Sequence, residues 1–151
     1  MSSPVPRYSG HTIPLASHLA RAGWRALDRR VMSAEVTHRQ MLVLTLLEDR
    51  GPMAQKALRE LLGLDASNVV GLLNELEQQG SVVRRRNPDD RRQHVVELTD
   101  AGVRALESTY ARLAIVEEEI LGTLTPAEQT QLHTLLSRVI SATAAADSNS
   151  D

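Results

Sequence analysis

The sequence has no cysteine and no phenylalanine, and it carries one tryptophan and two tyrosines. Without cysteine, a disulfide scaffold, a thiolate metal site, a cysteine nucleophile and a thiol redox switch are all excluded for this chain. With so few rings, stacking on single-stranded bases is not a principal means of binding, while duplex recognition stays open. The opening residues, MSSPVPRYSGHTIP, place proline and polar groups where a signal peptide needs an apolar run. Nowhere does the chain approach the roughly 18 consecutive apolar residues of a membrane span. The expectation is a cytoplasmic address with no membrane partner. The motifs HExxH, GxSxG, GxGxxG and the P-loop are also missing, so no enzyme and no cofactor are expected. The histidines, at 11, 18, 38, 94 and 133, show no His-x-x-x-His spacing, and no metal site is expected.

What is present is ordinary globular material: 151 residues, 42% hydrophobic and 24% charged, enough for one compact domain with a real core. The net charge of -2 argues against a uniformly basic coat, but its distribution matters more than its total. Positions 84, 85, 86, 91 and 92 are arginine, opposed locally only by Asp89 and Asp90, whereas Glu117, Glu118 and Glu119 form a separate acidic run. One local surface could face phosphate.

Apolar periodicity predicts the elements. Leu15, Leu19, Gly23, Leu27 and Val31 recur every fourth position, beside Ala16, Ala20 and Trp24, which predicts a helix over 13–32. Thr37 with Gln40 three residues on reads as a capping box opening a buried helix that runs to Gly51-Pro52. A third helix spans Gln55 to Leu62 and stops at Gly63; a fourth, capped by Asp65, runs from Ala66 to Gln79 with Val69, Leu72, Leu73 and Leu76 inward. SVVRRR and QHVVELT, separated by NPDDRR, then predict a two-stranded hairpin with a basic tip. Thr99 caps a long helix from Asp100 to about Leu121, with Leu106, Tyr110, Leu113, Val116 and Ile120 along one side. Thr125-Pro126-Ala127-Glu128 opens a last helix carrying Leu132, Leu135, Leu136, Val139 and Ile140. Met32, Met41 and Met53 read as adaptable core filler.

Helix, short turn, helix and basic hairpin is the order of a winged helix-turn-helix, whose second helix enters the major groove. The fold class expected is mainly α with a small β-hairpin wing, joined to a helical region. On the recognition helix, Ala66, Ser67, Asn68, Gly71 and Asn74 form the face of small and hydrogen-bonding groups, with the helix start also favouring phosphate. On the wing, Arg91 and Arg92 are placed to enter a minor groove, Asp90 to hold a neighbouring arginine extended, and Arg84 and Arg86 to share one strand face opposite Arg85. An isolated arginine run is usually a solvated turn; its position after two such helices favours double-stranded DNA as partner. The outward face of the recognition helix has no basic residue, so further phosphate neutralisation falls to Arg39, Lys56 and Arg59. Trp24 and His38 are candidates for a ligand pocket, against the plainer reading of Trp24 as a core or interface ring.

The stretch LRELLGLDASNVVGLLNELEQQGSVVRRRNPDDRRQHVVELTDAG, with Asp90-x-Arg92 followed by Leu98-Thr99, resembles the core signature of MarR-family transcriptional regulators, and the likeness extends over roughly residues 13 to 143. It departs from the pattern at Val70 and Gly71, where the family often has Thr and Arg, and at Ala54, a usual Ser or Thr cap. The resemblance implies a homodimer clasped through the first and last two helices. It implies a pseudo-palindromic operator, repression released by a small anionic or phenolic ligand, a wing contact at Arg92 and recognition contacts at Ser67 and Asn68. The organisation that follows is a disordered arm over 1–12, a helical dimerisation region over 13–36 and 100–143, a DNA-binding lobe over 37–99, and a disordered tail over 144–151. Two alternatives stay open: a winged-helix protein-interaction module, and a DNA-binding regulator with no ligand.

Overall fold

A computed structural model describes residues 10–30 and 36–148, with side chains for 10–29 and 36–143. The elements are α1 (Thr12–Arg30), α2 (His38–Arg50), β1 (Met53–Ala54), α3 (Gln55–Leu62), α4 (Ala66–Gln78), β2 (Val82–Arg86), β3 (His94–Leu98), α5 (Asp100–Leu121) and α6 (Pro126–Ser148). The architecture is mainly α with a small β-sheet, a winged helix. Most of the expected N-terminal arm, Val31, Met32 and the last three residues lie outside the described residues.

Helix boundaries follow local chemistry. Thr37 donates its backbone N–H to Gln40 Oε1 at 2.8 Å while its hydroxyl accepts from the Gln40 N–H at 3.3 Å, so two otherwise orphaned donors are satisfied where α2 begins. Gly63 ends α3 in the left-handed conformation, φ 61° and ψ 31°, which only glycine adopts without steric penalty. The Thr99 hydroxyl accepts from the Gly102 N–H at 3.0 Å to start α5. Thr125 and Glu128 exchange backbone and side-chain bonds at 2.7 and 3.3 Å to start α6.

One expectation is extended and one corrected. The hairpin of β2 and β3 forms, Val82 opposite Leu98 through Arg86 opposite His94, but it is not the whole sheet: β1 pairs antiparallel with β3, Met53 opposite Val96 and Ala54 opposite Val95, giving the order β1-β3-β2. Two residues are too short for alternation to register in a sequence, and Met53 is half-buried strand as well as filler. The last helix does not stop at 143 but continues to Ser148, so 144–148 are helical and not disordered. The segment ATAAADS is rich in alanine, the strongest helix former, which outweighs its lack of large apolar groups.

The chain divides into two compact units, one up to Ala114 and one from Ile115. In the first, Leu44, Leu58, Leu73, Leu76, Val96 and Leu106 are almost completely buried, so α2, α3, α4, the sheet and α5 share one aliphatic core. Each such side chain contributes about 1.5–3 kcal/mol on burial, and together they fix α4 and the wing on one scaffold. Gly102 joins the sheet to α5 at close range: a Cβ there would run into the Ser81 carbonyl oxygen and, at 2.7 Å, the Leu98 side chain. Among the described residues no helix is long and apolar enough to cross a membrane.

Candidate nucleic-acid interface

Helix α4 separates its residues cleanly. Val69, Leu72, Leu73 and Leu76 are buried, while Ser67, Val70, Gly71 and Asn74 recur at i, i+3, i+4 and i+7 on the exposed side. Three of the outward polar groups are already engaged. The Asp65 carboxylate accepts from the Asn68 backbone N–H at 2.8 Å, the Ser67 hydroxyl at 2.7 Å and the Asn68 Nδ2 at 2.6 Å. These bonds, the backbone one foremost and the Ser67 hydroxyl next, hold the Asp65 carboxyl below its usual range. The helix start therefore holds its own anion, which corrects the expectation that the backbone at Ser67 and Asn68 is left for phosphate.

The arginines divide as well. Arg84 turns back onto α4: its Nη2 lies 2.6 Å from Glu77 Oε2 and 2.6 Å from Asn74 Oδ1, and its Nε donates to Glu77 at 3.1 Å. The outward roles expected for Arg84 and Asn74 are corrected accordingly, because a carboxylate one turn beyond Asn74 draws the guanidinium inward across the helix. Arg84 also holds the Glu77 carboxyl below its ordinary value of 4.5. On the opposite strand face, Arg85 Nε donates to Glu97 at 3.1 Å. Arg86, Arg91 and Arg92 have no carboxylate partner among the described residues. Asp90 does not pair with a guanidinium, as expected of it; its two oxygens accept from the Arg92 backbone N–H and the Gln93 amide, both at 3.0 Å, and so shape the turn.

Between α3, the first turn of α4 and the wing lies a cleft of about 410 Å³, lined by Lys56, Arg59, Arg92 and His94, with Gln55 and Gln93 between them. No carboxylate lines it. Lys56 and Arg59 approach Glu60 only at 3.9 and 4.0 Å, across solvent. Helix α3 adds to the positive character, since Ala54 supplies no side-chain cap and its backbone is occupied in β1. Lys56 and Arg59 were expected to help neutralise phosphate, without a place; pairing of β3 with β1 is what gathers them beside Arg92 and His94, and His94 carried no such expectation. A second groove, of about 230 Å³, runs along α4 past Ser67, Asn68 and Gly71, with Arg39 and Glu75 at its edges.

Trp24 and His38 meet face to face, ring centroids 3.8 Å apart at 18°. Burial pushes the His38 imidazole below its ordinary value, Asp28 pulls against it, and Arg39 adds to the lowering. Two residues on, Gln40 is 1% exposed, and its Nε2 donates to Glu75 of α4 at 3.0 Å while its Oε1 accepts from Thr37, so both ends of the buried amide are bonded. No group of three or more His, Cys, Asp or Glu among the described residues is arranged to hold a metal ion.

Known proteins share this arrangement. The MarR family profile matches residues 36–94. YfiV of Bacillus subtilis, an uncharacterized HTH-type transcriptional regulator, is 31% identical over 112 residues, 72% of this chain and 70% of its own. The HTH-type transcriptional repressor NicR of Pseudomonas putida is 24% identical over 143 residues, 92% of this chain and 90% of its own. Among solved structures, the PcaV transcriptional regulator of Streptomyces coelicolor in complex with its natural ligand superposes with a TM-score of 0.69 at 28% identity, covering 93% of this chain and 99% of that one. With its winged helix intact and relatives of this extent, the chain belongs to the MarR family of transcriptional regulators, proteins that act on transcription and not as enzymes.

Proposed function

We propose that the chain is a homodimeric repressor that seats α4 in successive major grooves of a pseudo-palindromic operator, with the wing tip in the flanking minor groove, and that a small anionic or phenolic ligand releases it. The observation that carries this reading is the carboxylate-free cleft of Lys56, Arg59, Arg92 and His94 between α4 and the wing. A phosphate ridge separates major from minor groove in duplex DNA, so a protein that enters both must straddle that ridge with a cationic cleft. The DNA-facing residues are then Ser67 and Gly71 on α4, Asn68 beside them, Arg86, Arg91 and Arg92 on the wing, and Lys56 and Arg59 in the cleft.

Dimerisation is supported by α6. Leu135, Leu136, Val139 and Ile140 are 38–64% exposed on one stripe of the single chain, an apolar face that water does not favour and a second copy would cover. Ligand release is supported by the bound state of the PcaV relative and by repression in the name of NicR. In this chain the Trp24–His38 stack offers a planar aromatic ligand a surface one capping box away from Gln40 and α4.

The test is a footprint on the chain's own upstream DNA, with the mass of the complex measured in parallel. Two protected half-sites about 34–36 Å apart are expected, with affinity that falls as salt rises. Repeating the footprint with phenolic and carboxylic compounds identifies the releasing ligand; protection unmoved by any of them favours a regulator without one. A chain that forms no salt-dependent complex with duplex DNA sinks the proposal and favours the protein-interaction reading, which the absence of positive charge on α4 otherwise motivates.

A further inference from the structure

We infer that α4 reads thymine, through an apolar patch of Val70 beside Gly71, and that the operator half-sites present thymine methyl groups to it. The inference rests on the DNA-binding reading and names the bases that reading leaves open.

The outward face of α4 leaves few side chains able to read a base. Guanine is read best by a bidentate arginine or lysine, and α4, ASNVVGLLNELEQ, has neither. Adenine is read by an asparagine or glutamine that offers its amide nitrogen and oxygen together. Asn68 has one amide hydrogen bonded to Asp65 at 2.6 Å and Asn74 one oxygen lone pair taken by Arg84 at 2.6 Å, so each amide is held toward its own chain, while Gln78 stands at the C-terminal end of α4, away from the N-terminal residues through which a recognition helix meets base edges. The Ser67 hydroxyl proton is likewise committed to Asp65. What remains uncommitted between them is a valine side chain, 38% exposed, and a glycine.

Nothing in the fold asks for that glycine. A Cβ built on Gly71 meets no atom within 4 Å, and its backbone is ordinary helix. Glycine inside a helix is less stable than alanine by roughly 0.5–1 kcal/mol, so the position carries a cost without a structural return. Read with Val70, the return is room: base edges can approach the helix axis at Gly71 while the Val70 methyls lie against whatever is apolar there. The one apolar group on a base edge in the major groove is the C5 methyl of thymine.

The test uses the full chain and the operator located by footprinting, in duplexes where single thymines are replaced by deoxyuridine, which lacks only that methyl. At one or two positions in each half-site, the replacement is expected to weaken binding by the wild type about fourfold, the effect of one buried methyl-sized group. Val70→Ala should bind the thymine and uracil duplexes alike, and Val70→Thr, which keeps one methyl, should retain part of the difference. Because Val70 points outward, both variants are expected to melt as the wild type does; Val70→Thr alone decides the matter if Val70→Ala does not. Wild-type binding indifferent to uracil, or a uracil effect equal in wild type and both variants, overturns the inference while leaving DNA binding intact. Failure to bind any duplex overturns both.

Discussion

The base and the tip of the wing carry the same residue type and use it differently. At the base, Arg84 and Arg85 are each met by a carboxylate, Glu77 from α4 and Glu97 from the neighbouring strand. At the tip, Asp90 spends its oxygens on the turn itself, and Arg91 and Arg92 have no carboxylate partner among the described residues. What separates structural from available arginines is therefore the supply of carboxylates on adjoining elements. An arginine already paired must give up that partner before it can take a phosphate; an unpaired one need not.

The comparison is broken most directly at Arg92. Arg92→Ala, with a cleft and a tip both depending on it, is expected to lose about 2 kcal/mol of operator binding per contact, roughly thirtyfold. The slope of log affinity against log salt should fall by about one for each phosphate contact removed. Sedimentation should give the variant the same mass as the wild type. If instead Arg84→Ala weakened DNA binding as much and flattened the salt slope as far, the division between base and tip would be wrong.

Arg84 gives the intermediate effect, and it appears in stability. Arg84→Ala and Glu77→Gln are each expected to lower unfolding free energy by about 1 kcal/mol, near the upper end for a partly solvated pair because two guanidinium N–H groups meet one Glu77 oxygen while the Arg84 backbone N–H meets the other. DNA affinity should fall only severalfold, through a less firmly held wing, with the salt slope unaltered. The pair also sets a pH signature. Arg84 holds the Glu77 carboxyl below its ordinary 4.5, so the stabilisation is present above that value and is lost as pH falls through the folded one. Asp65 and Glu128 are lowered too and contribute to the same acid limb. The difference between wild type and Glu77→Gln isolates the pair: the two melting curves should differ near pH 6 and converge toward pH 3. A constant gap across that range would remove Glu77 as the cause.

How far the sequence could anticipate this depends on the range of the interaction that decides it. Thr37 with Gln40, Asp65 with α4, and Thr125 with Glu128 act within three residues, and each was legible as a cap. The aliphatic positions of α4 were legible because the 3.6-residue period holds over the 13 residues of the helix. The fate of Arg84 was not, since Glu77 reaches it across a turn and a helix end, and alternation along β2 says only which face a side chain takes. The two-residue strand β1 was equally hidden, and with it the means by which Lys56 and Arg59 come to line one cleft with Arg92. Gly102 was visible as part of a family-like motif, but its reason, contact with Ser81 and Leu98, exists only once sheet and helix meet.

Arg85 should show the smallest effect of the set, and it is the sharper control. Its side chain is 67% exposed and meets Glu97 on the solvated face of the sheet, diagonal to it across β2 and β3. Such a pair gains little Coulomb energy in high dielectric, and two long side chains lose rotamer freedom to make it, so Arg85→Ala is expected to change stability by no more than about 0.5 kcal/mol. It lies on the strand face opposite Arg84 and Arg86, so a general loss of positive charge is the only route by which it could act on DNA. If affinity follows wing charge as a whole, Arg85→Ala and Arg92→Ala should weaken binding alike. If it follows which guanidinium is unpaired and borders the cleft, only Arg92→Ala should, and titrating both variants against one operator at two salt concentrations separates these outcomes.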